Sequence, residues 1–333
     1  MFKSLIQTSY FQVELEVSSE EILKRIQHDF SWFSPLENNK FKMRIKLEGL
    51  DQPKFRHDHL QFSFKTKQAQ VLDNEFLRRV EYFDGSIVEY DYQAEVGLIQ
   101  AIDNDRLHDL ALQLISSRTG KMLDLEGLHK IHACSVSLED KVALILMPIG
   151  GGKSTLLLEL LKDSAFHFVS DDTPLVDVKK NIHPYPFRIG KTDLPQDYPF
   201  LIEPKVKLNR SGYGEKFLLG REEVSLTVET KTLGKKVLIF GTPSVKESKI
   251  EEMNKGIAFY YLWREMVIGI GLPQIIEFYW SFALLDLAKV IKIGFSRLFL
   301  AIALVRENPC YRLYRGPDHS KNASLIKKVL SEL

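Results

Sequence analysis

Two cysteines in 333 residues, Cys134 and Cys310, leave nothing from which to build a disulfide framework or a thiolate metal site. They stand far apart without metal-type spacing, which implies a reducing compartment and packing roles for both. Excess charge is missing as well: 45 Lys and Arg oppose 44 Asp and Glu, a net charge of +1. That balance gives no electrostatic case for nucleic acid or an anionic membrane as main partner. Long apolar runs are also lacking. The richest stretch, Met266 to Val305, is uncharged only from Met266 to Ile276, well short of the roughly 20 residues of a spanning helix. Glu277, Asp286, Lys289, Lys292 and Arg297 break the remainder, so core helices and no transmembrane segment are expected. The first residues have no signal-peptide core, because Gln7, Thr8 and Ser9 follow Leu5-Ile6 at once. The expected location is cytoplasmic. Internal repeats and low-complexity tracts are absent too.

What is present reads as two domains in a mixed α/β (α+β) chain, a small α+β domain over residues 1–122 and a larger one over 123–333. In the first, Phe11–Val17 alternates as a half-buried strand does. Ser18 and Glu21 form a candidate capping box for a helix that carries Ile22, Ile26, Phe30 and Phe33 on one face. Strands are expected at Phe41–Leu47 and Leu60–Phe64, and Val80–Phe83 and Ser86–Tyr92 flank the hairpin signal Asp84-Gly85. A helix from Asp105 to Arg118 should end at Gly120. No catalytic cluster stands out here, and the domain's expected role is acceptor presentation or partner binding.

The second domain carries the chemistry. Val142–Met147 is a continuous apolar strand feeding Pro148-Ile149 and then Gly150-Gly151-Gly152-Lys153-Ser154-Thr155, with a helix expected from Leu156. Glycines let backbone N–H groups converge on an anion, and a helix N-terminus adds favourable partial charge. Lys153 reaches a terminal phosphate in such a loop, and the Ser154 hydroxyl can sit on magnesium. Met147 stands where the pattern G-x-x-x-x-G-K-[ST] has its first glycine.

Eighteen and nineteen residues beyond Lys153 come Asp171 and Asp172, closing the apolar strand Phe166–Ser170. Two carboxylates at a strand's carboxyl end lie where a phosphate loop also opens in an α/β sheet. One can hold magnesium while the other accepts a proton from an attacking hydroxyl. By composition alone a solvated turn or a helix cap is the favoured reading of the pair, and the phosphate loop at this distance before it reverses the preference. His132, twenty-one residues before Lys153, is a candidate phosphate contact or a hydrogen-bonded structural residue. Arg188, Lys191 and Lys205 are further candidates, each weighed against an ordinary solvated charge. Helices are expected to dominate from Asn254 to the end, and Asn209–Glu215 reads as a mobile loop.

His132-Ala133, the glycine loop with Lys-Ser-Thr, and Val169-Ser170-Asp171-Asp172 together resemble the catalytic domain of HPr kinase/phosphorylase, and more closely the bacterial HPr-kinase-like proteins (HPr-kinase-related serine kinases) that carry a different N-terminal domain. The lead-in Leu123 to His132 is similar as well, and the likeness covers residues 120–240. Residues 1–120 do not resemble that enzyme's N-terminal domain. The resemblance implies a P-loop fold of the HPr kinase/phosphoenolpyruvate carboxykinase type, with a mixed sheet and a helical C-terminal part. It implies an ATP-dependent, magnesium-assisted kinase that transfers the γ-phosphoryl to a hydroxyl on a small molecule, peptide or protein. ATP would rest on Gly150, Gly151, Gly152, Lys153, Ser154 and Thr155. Ser154 and Asp172 would hold Mg2+, Asp171 would be the general base, and His132 would line the transfer site. GTP or pyrophosphate as donor, a phosphorylase activity, and a homo-oligomer stay open. The alternative is an ATP-binding regulatory or assembly protein, or a weak ATPase without an acceptor. A transporter or motor ATPase is disfavoured, because Val237–Phe240 leads into Gly241-Thr242 and not into an acidic pair.

Overall fold

A computed structural model describes residues 1–35, 41–51, 60–192, 198, 201, 206–210, 214–244, 246–272, 276–281 and 284–333. Lys205 lies outside them. The chain divides into two compact units, one of residues 1–123, 208–215 and 273–290 and the other of residues 124–207, 216–272 and 291–333. The division is therefore not a single cut between 122 and 123. Within the first unit, Arg78 donates to the carbonyls of Glu277 and Trp280, and Lys121 pairs with Asp286 at 2.8 Å. Those bonds tie the late segment to the early one.

The first unit is built on an eight-stranded sheet. Its strands are β1 (Phe2–Gln7), β2 (Gln12–Val17), β3 (Lys42–Gly49), β4 (Gln61–Lys65), β5 (Ala69–Asp73), β6 (Leu77–Tyr82), β7 (Ile87–Asp91) and β8 (Val96–Ala101), in the order β1-β2-β3-β8-β7-β6-β5-β4. The hairpin expected at Asp84-Gly85 joins β6 to β7, with Gly85 at φ 87°. Helix α1 (Glu20–Asp29) buries Ile22 and Ile26, with Phe30 buried just beyond its end. Its cap differs from expectation: Ser19 is the N-cap, and the Ser18 hydroxyl instead accepts from Gly49 N at 3.0 Å. Helix α2 (Asn104–Leu125) runs straight through Gly120. The left-handed stop comes at Gly127, φ 77°, whose N–H donates to Asp124 O. Buried Lys121 and Leu123 hold the extra turns in place.

The second unit centres on a six-stranded mixed sheet. Its chain order is β9 (Leu128–Lys130), β10 (Cys134–Leu138), β11 (Lys141–Leu146), α3 (Lys153–Leu160), β12 (Phe166–Ser170), β13 (Leu175–Asp177), β14 (Ile182–His183), β15 (Ile189–Lys191), β16 (Val206–Arg210), β17 (Gly214–Leu219), β18 (Lys235–Pro243), β19 (Lys249–Glu252), α4 (Lys255–Leu262), a π-helix over Trp263–Ile268, α5 (Ile276–Tyr279), α6 (Leu284–Glu307), β20 (Cys310–Arg315) and α7 (His319–Ser331). Residues of β16, α5 and the start of α6 group with the first unit. The central sheet runs β12-β10-β11-β18-β20-β19. Strand β10 is antiparallel to both β11 and β12, while β11, β18 and β20 are mutually parallel. So β11 and β12 point the same way, and their carboxyl ends share one edge.

Strand β11 is buried on both faces, as its unbroken apolar run requires. Val142, Leu144 and Leu146 face a core with Leu238 and Phe240 of β18, Leu262 of α4, and Leu300 and Leu304 of α6. Helices dominate from Asn254 to the end, as expected, and β20 enters the sheet beside β18 with Cys310 and Leu313 buried. One expectation about this half is corrected: Asn209-Arg210 and Gly214-Glu215 lie in strands β16 and β17, and residues 211–213 fall outside the described residues. Among the described residues no helix is long and apolar enough to cross a membrane.

Candidate functional site

Strand β11 ends at Leu146, and the chain turns through Pro148–Gly152 into α3. The helix opens at Lys153, three residues before the expected Leu156. Gly150 and Gly152 hold φ of 73° and 84°, a region costly to residues bearing a Cβ. Gly152 also lets the Arg315 guanidinium come close, since a Cβ there would lie 2.8 Å from its Cζ and the arginine would have to shift. Met147 has taken the first glycine's place by burying its side chain against Gly241 of β18.

The Lys153 side chain, 8% exposed, turns back over the loop. Its ammonium is 2.7 Å from His132 Nε2, donates to Met147 O at 3.4 Å, and stands 3.6 Å from Asp172 Oδ1. Asp172 Oδ1 is also 3.5 Å from His132 Nε2. The far side of the ring is fixed by Glu265 of the π-helix, which accepts from Nδ1 at 2.5 Å while its backbone carbonyl accepts from His132 N at 3.2 Å. A carboxylate on Nδ1 sets the ring's orientation and turns Nε2 toward Lys153 and Asp172. Gly271, φ 90°, lies against the ring, and a Cβ there would meet Nε2 at 2.9 Å and other ring atoms more closely. Burial works against an imidazolium, but the bonds to Asp172 and Glu265 outweigh it and raise the His132 pKa.

Asp171 is 5% exposed. Ser154 Oγ donates to its Oδ2 at 3.1 Å, and Gly190 N does so at 3.3 Å. Its other oxygen, Oδ1, is buried without a partner among the described residues. Burial, followed by the charge of Asp172, raises its pKa to about 7 against the smaller opposing pull of Ser154 and Lys153. The neighbouring Asp172, 46% exposed at its side chain, goes the other way. What desolvation it suffers is overcome by the His132 bond and the Lys153 charge, and its pKa is lowered. Two adjacent carboxylates thus hold their protons very differently, the arrangement that separates base from charge-bearing ligand.

A hard dication is tested by this donor set. Ser154 and the half-exposed carboxylate of Asp172 are oxygen donors, and no three His, Cys, Asp or Glu side chains among the described residues cage a metal by themselves. Magnesium takes one or two carboxylates and completes its octahedron with water and substrate phosphate, so the residues fit it. The hydroxyl of Ser154 meets Asp171 and not Asp172, which is drawn to Lys153 and His132.

His132, Lys153, Asp171, Asp172, Ser154 and the three glycines therefore gather at one edge. Lys191 joins them: it is buried and its Nζ donates to Thr155 Oγ1 at 2.8 Å, so it is no solvated charge. Arg188 is buried as well. Cys134 is buried beneath the loop, its Sγ 3.8 Å from Lys153 O, and burial raises its thiol pKa. Sequence reasoning missed Glu265 and Arg315. Neither belongs to a local motif; each is brought in by sheet and helix packing more than 100 residues from its partner. No protein-family model matches this chain, and no curated protein matches it.

Proposed function

We propose that the second unit is an ATP-dependent kinase of the HPr-kinase-like phosphotransferase type, with a P-loop fold of that superfamily, which moves the γ-phosphoryl of ATP to a hydroxyl. The observation that carries the reading is the buried, unengaged Oδ1 of Asp171 beside a glycine loop whose lysine is bonded to His132. An attacking hydroxyl must lose its proton, and a buried, half-free carboxylate is a base placed to take it.

In this reading the loop amides and α3 N-terminus bind the phosphates, and Lys153 leaves His132 to neutralise the transferring group. Arg315, against Gly152, adds a second cation at the loop. Mg2+ would be held by Ser154 and Asp172 and would supply charge neutralisation to the phosphates, leaving Asp171 for the proton. Asp171 accepts the acceptor's proton. Glu265 keeps His132 oriented, and His132 holds Asp172 and Lys153 in register.

The test is Asp171→Asn. Phosphoryl transfer measured with labelled ATP should fall by roughly 10²–10⁴-fold, while ATP binding by calorimetry stays within about twofold. Unchanged turnover removes Asp171 from the role of base, and label released only as free phosphate in the wild type favours an ATPase.

A further inference from the structure

A cavity of about 160 Å³ opens beside the phosphate loop, walled by Met147, Phe240, Tyr261, Arg264, Glu265 and Arg312 among others. Two of its walls belong to the candidate site. Met147 O accepts from Lys153, and Glu265 holds the His132 ring. Met147 and Glu265 thus border both the cavity and the Lys153–His132 pair.

Size comes first. A cavity of about 150 Å³ admits a molecule of benzene's dimensions, so this one takes roughly six to eight heavy atoms. A nucleoside does not fit inside it whole. Charge comes second. Arg264 and Arg312 supply two guanidinium groups to the wall, and Glu265 supplies the one carboxylate. That carboxylate gives its short bond to His132, and the Arg264 guanidinium stands 3.8 Å away, beyond hydrogen-bond reach. Glu251 lies across from Arg312 in the β19–β20 register and feels its charge, but it is outside the cavity wall and its carboxylate bonds to Lys249 and Tyr314. The cavity thus carries net positive charge in a small space whose remaining walls, Leu146, Met147, Phe240 and Tyr261, are largely apolar.

We propose that this cavity is the acceptor site and that the acceptor is a small hydroxyl-bearing organic anion, a hydroxy acid of about three to five carbons. The inference rests on the kinase reading. The carboxylate sits on Arg264 and Arg312, where planar guanidinium groups match its two oxygens. The alkyl part lies on Met147, Phe240 and Tyr261. The hydroxyl faces the Lys153 side: its oxygen forms the new bond to the γ-phosphorus, its proton goes to Asp171, and the bond from phosphorus to the β–γ bridging oxygen breaks to release ADP.

The full chain is titrated with 2-hydroxyisovalerate, lactate and glycerate, each against its neutral diol or triol analogue, and each pair is then offered labelled ATP and magnesium. At least one acid should bind about tenfold or more tightly than its neutral partner, and Arg312→Gln should remove that preference with ATP binding unchanged. Arg312→Lys should restore part of it, which separates lost charge from a lost fold. Label should appear in the same acid. Equal binding of acids and neutral analogues, or binding indifferent to Arg312→Gln, overturns the assignment whether or not nucleotide binds. Label transferred to a serine peptide but to no hydroxy acid overturns it while leaving the kinase reading intact. Arginine-dependent binding of an acid that never acquires label from bound ATP overturns the acceptor role and counts against the kinase reading itself.

Discussion

Met147 and Gly241 should behave as a single packing unit, and a double-mutant cycle can measure this. Met147 is 3% exposed, and a Cβ placed on Gly241 would lie 2.7 Å from its Cγ and 3.1 Å from its Sδ, with Cε nearer still. Replacing Met147 by Ala removes those atoms. Large-to-small core changes of this kind cost about 2–5 kcal/mol, and the value here should fall near ~2 kcal/mol, because Met147 borders a cavity and not solid core. Gly241→Ala alone forces a buried thioether aside, an overpacking cost of about 1–3 kcal/mol. In the Met147→Ala background the obstructing atoms are gone. Gly241 lies in β18 and has no left-handed φ, so alanine there gains about 0.4–1 kcal/mol by restricting the unfolded chain. The double variant should therefore be no less stable than Met147→Ala, with a coupling of about 1–3 kcal/mol. Two-unit chains do not unfold as one transition, so the second unit needs its own probe. Trp263 serves once Trp32 and Trp280, which group with the first unit, are changed to Phe. Urea midpoints for the four corners of the cycle give the coupling. Costs that add within about 0.5 kcal/mol refute the idea that Met147 occupies the space the glycine leaves.

Other perturbations report on the site and its surroundings. Gly271→Ala places a Cβ at φ 90° and into the His132 ring; it should cost at least ~1–2 kcal/mol in backbone strain and lower phosphoryl transfer more than ATP affinity, and a variant equal to wild type in both refutes the contact. Asp124, 4% exposed, is bonded by His129 and by Arg297 Nε and Nη2. Arg297→Met strands that carboxylate and should cost about 3–5 kcal/mol in urea unfolding. Lys130 is 3% exposed, and burial brings its pKa down to about 8 despite the nearby Asp124 charge. The unfolded chain, with an ordinary lysine near 10.5, binds more protons between those values, so stability should rise as pH climbs from about 8 to 10.5, by up to ~3 kcal/mol. Lys130→Met should abolish that rise, and parallel pH profiles would refute the burial argument.

Much of the site was legible in the sequence because its parts are short and local. An apolar strand, a glycine loop and Lys-Ser-Thr are contiguous, and the Asp pair closes the next apolar strand, so the direction shared by β11 and β12 follows from chain alternation alone. Local signals failed where tertiary packing outweighed them. Gly120 carries a helix-stop signal, yet the bond from Lys121 to Asp286 and burial of Leu123 carry α2 past it. Ser18 looks like a cap, but Gly49 from a neighbouring strand uses its hydroxyl. Lys191 read as a surface charge because no sequence pattern announces that β15 will lay it against Thr155. Glu265 was invisible for a different reason: 133 residues separate it from His132, and nothing around it distinguishes it from any other helical glutamate.

The π-helix that carries Glu265 has one further consequence. A π turn is an α-helix holding one surplus residue, and here both the carboxylate and the carbonyl of Glu265 are spent on His132. Removing a single residue between Trp263 and Ile268 would let the helix relax to α geometry and rotate the downstream residues by about 100°. Glu265 and the Met266 carbonyl that receives Arg297 could not then both keep their partners. The spacing of this segment, and not just its composition, is therefore under chemical constraint. Length changes that the surface loops absorb should be refused here.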